Sequence, residues 1–168
     1  TNRVVIDKAV TVRSMNGPSV TFISGYQVPG TTNGDSAVRC VYMTNRSAPV
    51  GFTLMNGATR TAGDMVLDQS GGGVFSESAD ASLSNCVLKA NAAGDSGGGV
   101  YQGTLKRCVL AGNWAANYGG GAFQGTLTDC ILSNNLALYN GGGGAQYCNL
   151  TNCTLDGNRI GLLEHVGH

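Results

Sequence analysis

Charge is what this chain has least of. Of 168 residues, ten are Lys or Arg and ten are Asp or Glu, 12% of the chain and in formal balance. That is about half the usual charged share, and it leaves no basic stripe for nucleic acid. Histidine is nearly missing: His165 and His168 are the only two. No apolar run approaches the roughly 20 residues of a membrane span. The uninterrupted amphipathic runs of ten or more residues that helical repeats need are missing too. No CxxC pair occurs, and the sequence implies no metal site and no cofactor.

What is abundant is glycine, 27 residues, and much of it recurs on a fixed beat. Gly71-Gly72-Gly73, Gly97-Gly98-Gly99, Gly119-Gly120-Gly121 and Gly142-Gly143-Gly144 open four similar stretches. Each is followed by a leucine (Leu83, Leu105, Leu127, Leu150) and, three residues later, by a cysteine (Cys86, Cys108, Cys130, Cys153). Two residues on stand Leu88, Leu110, Leu132 and Leu155, and three further Asn91, Asn113, Asn135 and Asn158. The cysteines are 22, 22 and 23 residues apart. A period of this length marks stacked repeats, each covering its neighbour's apolar face.

Strands rather than helices explain the repeat. Triple glycine is hostile to a helix interior. Cys-Val-Leu, Cys-Ile-Leu and Cys-Thr-Leu alternate, so Cys and Leu point one way and Val87, Val109, Ile131 and Thr154 the other. About 22 residues suit one turn of a three-sided parallel β-coil stacked at about 4.8 Å. The prediction is an all-β, single-stranded parallel β-helix, a solenoid of about six or seven rungs spanning residues 1–163 and most regular over 71–158. Inward ladders of leucine and cysteine are expected, with an asparagine ladder at a corner. Asn would suit that corner for two reasons: it tolerates the left-handed conformation, and its amide can hydrogen-bond the Asn one rung above and below.

The motifs Gly120-Gly121-Ala122-Phe123 and Gly143-Gly144-Ala145-Gln146, each leading to Leu-x-x-Asn, resemble the paired repeats of polymorphic outer-membrane proteins and related bacterial adhesin-like β-helices. Leu stands here where that family has Phe. The resemblance covers residues 71–158 well and 1–70 loosely. It implies a right-handed, pectate-lyase-like coil in a secreted or cell-surface bacterial protein. It does not imply one function, because such coils carry lyases, hydrolases, adhesins and inert stalks.

Four of the six cysteines share one repeat position, which favours small inward thiols over disulfides. Cys40 and Cys148 lie off that ladder, and Cys148 near Cys153 or Cys130 is the best place for a bridge. Residues 1–25 read as a less regular first rung. Phe52-Thr53-Leu54 aligns with Cys86-Val87-Leu88, with Phe in the cysteine slot. Segments 26–37, 58–64 and 76–81 are expected to protrude, the last as a four-residue bulge, and are the candidate places for a grafted function. Thr1 is not a start residue and no signal peptide precedes it, so an excised fragment or mature product is expected. Residues 164–168 read as a frayed tail or expression remnant.

Gly94-Asp95-Ser96-Gly97-Gly98 spells a serine-protease nucleophile signature, yet a triad needs a histidine base. The repeat places Asp95-Ser96 on Asn117-Tyr118 and on Tyr139-Asn140, the ordinary linker before each glycine run. Polysaccharide lyases and hydrolases need carboxylates converging on one face, and no repeat position collects them. No catalytic residue is assigned. Phe75, Tyr101 and Phe123 share one position, continued by Gln146, and admit three readings: buried packing, an exposed structural ladder, or a stripe for sugar rings. Trp114, in a linker, joins them as a candidate ligand-binding residue, with Tyr118 and Tyr139 as further surface aromatics. The expected role is a non-catalytic adhesin-like or carbohydrate-contacting stalk, its partner a polysaccharide or cell-surface glycan. The alternative is a lyase or hydrolase with truncated active loops. Exposed end rungs invite end-to-end self-association.

Overall fold

The structure is a computed structural model, and residues 1–161 of it are described here. Among these residues there are twenty short strands and no helix. The tail read at 164–168, the end of the span read to 163, and both histidines lie outside the described residues. The named strands pair in parallel, in sheets of ten, six and four strands, one of them strongly curled. No helix among the described residues is long and apolar enough to cross a membrane.

The pairing follows the sequence period. Leu88 is registered on Leu110, Leu110 on Leu132 and Leu132 on Leu155. The six-stranded sheet continues below the regular repeats, through Leu54 on Leu88 and Ile23 on Leu54. Phe52 therefore sits in the cysteine slot and is buried. Alternation explains why these are strands: Leu54, Leu88, Leu110 and Leu132 are fully buried, while Ile131 between them faces outward. A second apolar column, Leu83, Leu105 and Leu127, lies in the ten-stranded sheet. There Val74–Ser76 and Ser82–Ser84 both pair with the long strand Val100–Lys106. The four extra residues between those two short strands form the expected bulge. One continuous core runs from Ile6 to Leu132.

The glycine runs bring backbones close together. A Cβ on Gly98 would lie 2.1 Å from the Trp114 carbonyl oxygen, and one on Gly120 would lie 2.2 Å from that of Leu136. Their amides carry the parallel ladder onward, Gly98 N–H to Gly119 O at 3.1 Å and Gly99 N–H to Gly120 O at 3.0 Å. A side chain at either position would part the four-stranded sheet from its neighbour.

Asn91, Asn113, Asn135 and Asn158 form a hydrogen-bonded column. Asn113 Oδ1 accepts from the Asn91 backbone N–H (3.1 Å) and from Asn91 Nδ2 (3.0 Å). Asn135 Oδ1 does the same for Asn113 (3.0 and 2.9 Å), and Asn158 Oδ1 for Asn135 (3.0 and 2.9 Å). Each Nδ2 also donates to a core leucine carbonyl, Leu54, Leu88, Leu110 or Leu132. The expected backbone reason is corrected, because none of these four has positive φ. The left-handed residues are their predecessors, Ala90 (54°), Gly112 (61°), Asn134 (53°) and Gly157 (60°). A second left-handed position holds Asn85, Arg107, Asp129 and Asn152, φ 50–55°. Side chains bond along that column, Arg107 Nε to Asn85 Oδ1 at 3.0 Å and Asn152 Nδ2 to Asp129 Oδ1 at 2.5 Å. Asparagine in the first column is there for its amide, not for its backbone tolerance.

All six cysteines are free, including Cys148 and Cys153, where a bridge was most expected. Cys148 Sγ instead accepts from the Gly125 N–H at 3.3 Å, and Cys153 Sγ contacts the Leu127 carbonyl at 3.5 Å. Cys86, Cys108 and Cys130 are stacked and buried. Cys130 Sγ accepts from the Cys108 N–H at 3.4 Å. Neighbouring Cys130 and Cys86, with burial, push the Cys108 thiol up. Burial pushes Cys40 up to about 12.

Segment 26–37 packs more closely than a protruding loop. Ala37 joins Ala58 and Ala92 in a small second core, and Asn33 Nδ2 donates to Thr59 Oγ1 at 3.0 Å. Segment 58–70 turns on Asp64, whose carboxylate accepts from the N–H groups of Val66 and Leu67. Arg60 ties the two segments together through Asp35 at 3.1 Å and Asp68 at 3.7 Å.

Two outcomes follow from this packing. Asn113→Ala orphans the Asn91 N–H and the Leu88 carbonyl in a dry environment, and chemical denaturation should show a loss of about 2–4 kcal/mol. A loss within experimental error would mean the column is ornamental. In native protein at pH 8, mass spectrometry after alkylation should find Cys148 and Cys153 modified well before Cys40, Cys86, Cys108 and Cys130, because access limits the buried four. Equal labelling of all six would refute that order.

Candidate functional site

The repeat stacks two further columns at one surface, and a cavity of about 470 Å³ opens between them. That volume lies within the range of small-ligand sites. One wall is polar. Asn117 Nδ2 donates to Asp95 Oδ1 at 2.7 Å, and Asn140 Nδ2 donates to Asn117 Oδ1 at 3.2 Å. Ser96 Oγ donates to the other carboxylate oxygen, Asp95 Oδ2, at 2.7 Å. Backbone bonds support the wall, Asn117 N–H to Asp95 O at 2.8 Å and Asn140 N–H to Asn117 O at 3.2 Å. Asp95 is 8% exposed and Ser96 1%.

The expected alignment of these linkers needs one correction. Asn140, not Tyr139, continues the side-chain column above Asn117. The last interval is 23 residues rather than 22, and the extra residue falls between Leu138 and the next glycine run. Tyr139 is displaced outward and is 55% exposed.

The other wall is aromatic. Tyr42, Phe75, Tyr101 and Phe123 form one ring stack, with centroids 5.8, 5.1 and 5.5 Å apart and interplanar angles of 12°, 5° and 26°. Tyr42 belongs to the column because it is registered on Phe75. Tyr118 lies tilted against Phe123 at 6.0 Å, and Tyr147 meets Phe123 edge-on at 5.7 Å. The column divides between the readings left open for it: buried packing at Phe75, and a half-buried ladder of stacked rings at Tyr101 and Phe123. Phe75 is buried, 2% exposed. The rings also cover one another's faces, so Tyr101 and Phe123 offer the cavity mainly their edges. Bend residue Gly103, φ 112°, follows Gln102 at φ 61°, and this kink lets the strand turn without burying Tyr101 fully.

Of the four aromatic candidates, the structure brings Tyr101 and Phe123 into the cavity and leaves Phe75 and Trp114 out of it. Trp114 is not in a linker: it opens the strand Trp114–Ala115 and packs on the Ala37, Ala58 and Ala92 cluster. Met65 and Val66 contribute an apolar lip from segment 58–70. They follow directly on 58–64, one of the three segments expected to carry a grafted function, although neither side chain is itself marked by the repeat. Asp95 and Asn117 carried a readable signal, a polar residue recurring before each glycine run. It was obscured by the one-residue insertion.

Electrostatics around the cavity are set by buried charge. The Arg39 guanidinium lies 5.3 Å from the Phe75 centroid and donates to the carbonyls of Ser70 and Leu67. Burial lowers its pKa to about 10. Burial, then the carboxylates of Asp95 and Asp64, push the Tyr101 phenol up. Tyr42 is pushed up to about 12, first by its hydrogen bond to Glu77.

Chemically, the cavity offers hydrogen bonds. Ser96 spends its proton on Asp95, and no imidazole accompanies it among the described residues. Among the residues lining the cavity Asp95 is the single carboxylate, whereas glycoside cleavage by paired carboxyl groups needs two. Among the described residues no three His, Cys, Asp or Glu side chains converge. Comparison with protein-family models, with curated proteins and with solved structures finds no match to this chain.

Proposed function

We propose that the chain is a right-handed, single-stranded parallel β-helix serving as a non-catalytic, carbohydrate-contacting module of a secreted or surface-displayed bacterial protein. Parallel pairing at the 22-residue interval in all three sheets supports the coil. The sequence resemblance supports the handedness and the setting. The observation that carries the carbohydrate reading is the cavity itself, in which the amide and carboxylate column of Asp95, Asn117 and Asn140 faces the edges of Tyr101, Tyr118 and Phe123. Hydroxyl groups suit such a wall, because each amide keeps an unused N–H or lone pair for a partner. Apolar ring edges and Met65 suit the C–H faces of a sugar.

A glycan array run beside an assay for new reducing or unsaturated ends tests this. Retention on a subset of glycans without new ends is expected. The double variant Asn117→Ala with Tyr118→Ala should weaken retention about tenfold or more, since each lost contact is worth about 1 kcal/mol. Appearance of new chain ends would support the lyase or hydrolase alternative, and no retention on any glycan would remove the reading.

End-to-end self-association belongs to the same proposal. Leu150 and Leu155 are 39% and 49% exposed, although Leu127 and Leu132 one repeat earlier are fully buried. Val4 and Ile23 are half-buried at the other end, where Val41 and Leu54 above them are fully buried. Sheet ends also carry unpaired backbone groups. Sedimentation velocity at rising concentration should show a growing mean mass, and a constant monomer mass would refute it.

A further inference from the structure

The polar wall carries a charge that the protein leaves unbalanced. Asp95 is more than nine-tenths buried, yet its two hydrogen-bond donors, Asn117 Nδ2 and Ser96 Oγ, are neutral. Among the described residues the ion pairs are those of Arg60 with Asp35 and Asp68, so Asp95 has no cationic partner. No Lys, Arg or His lines the cavity. A desolvated carboxylate held only by neutral donors attracts a cation strongly, because little solvent remains to screen it.

The amide column adds direction. Asn140 donates to Asn117 and Asn117 donates to Asp95, so both carboxamides point their N–H groups toward the carboxylate. The carbonyl oxygens consequently point away from it along the column. Asp95 keeps unused lone pairs on both oxygens, and Asn117 Oδ1 keeps one. An acceptor-rich wall of this kind fits a group with three N–H donors and a positive charge, which is an ammonium. The Tyr101 phenol senses the same field from across the cavity.

We propose that the cavity selects a protonated primary amine, and that the sugar it takes is an amino sugar with a free ammonium group. The identity of the sugar rests on the carbohydrate reading above, whereas the preference for an ammonium does not. Uronates are disfavoured, since a second carboxylate would meet Asp95 with no cation between them. N-acetylation removes the charge and converts a three-donor group into one with a single N–H.

The test compares glucosamine oligosaccharides with N-acetylglucosamine and glucuronate oligosaccharides of matched length, by calorimetry on the intact chain, with butylammonium as a probe carrying no sugar. Asp95→Asn is the informative variant, because Asn already fills the next two positions of that column and the fold should tolerate it. The expected result is glucosamine binding about tenfold or more tighter than N-acetylglucosamine, the strength of one well-formed charge-assisted contact. That advantage should shrink with added salt and vanish in Asp95→Asn. Circular dichroism of the variant, unchanged from the parent, separates lost charge from lost fold. Equal affinity for the charged and acetylated sugars would overturn the ammonium preference while leaving the carbohydrate reading standing, as would an advantage that persists in Asp95→Asn. If no sugar binds but butylammonium shifts amide resonances of Ser96 and Asn117 in the parent and not in the variant, the carbohydrate reading falls and the ammonium site stands. If butylammonium also fails, both fall.

Discussion

A buried amide cannot be left half satisfied, and the column Asn91, Asn113, Asn135 and Asn158 turns that rule into a register. The side-chain carbonyls of Asn113, Asn135 and Asn158 each take two N–H groups of the preceding asparagine, and the N–H₂ groups of Asn91, Asn113 and Asn135 each divide between the next asparagine and a leucine carbonyl. Sliding one repeat by one residue along its neighbour would orphan several polar groups at once, at about 1–3 kcal/mol each. It would also turn every leucine of that repeat from core to solvent. The polar column and the leucine columns therefore demand the same register, and that agreement selects one stack from many.

Once the register is set, any residue type repeated along the chain becomes a column in space. The buried cysteines, the ring stack from Tyr42 to Phe123 and the wall of Asp95, Asn117 and Asn140 all arise in this way. The glycine runs permit the stack because they admit backbone contacts as close as a Cβ would need. Their freedom is used where the four-stranded sheet meets the larger one. Left-handed residues such as Arg107 and Asp129 turn the chain elsewhere, and side-chain bonds within their column steady conformations that cost a non-glycine residue about a kcal/mol.

The site grows where this regularity is interrupted. The single extra residue after Leu138 brings Asn140 onto the column of Asp95 and Asn117 and turns Tyr139 outward. Segment 58–70, held down by Arg60, supplies Met65 and Val66 as a lip over columns that belong to the regular repeats. The repeats contribute rigid walls, and the irregular segment closes the space into a cavity. A single acidic residue at the Asp95 position, where the next two repeats have asparagine, then gives an otherwise neutral groove its sign.

Strands, parallel pairing and the inward leucines were legible in the chain because each depends on spacing alone: a period of 2 within strands and of 22 between them. Free thiols were legible for the same reason, since four cysteines in one repeat slot act as core residues. The amide ladder of the asparagines was legible too, whereas their backbone conformation was not. Their φ values and the division of their hydrogen bonds depend on how tightly neighbouring repeats approach, and only their predecessors turned out left-handed. The cavity was not legible either. Asp95 and Asn140 lie 45 residues apart, Met65 lies outside the periodic region, and how far each ring of the stack is buried depends on the bend at Gly103. The sequence alone determined which residues superpose, because superposition is a matter of period. Tertiary structure alone decided which of the resulting columns enclose a space and where one charge within it goes unbalanced, because both depend on the irregular segments that the period does not describe.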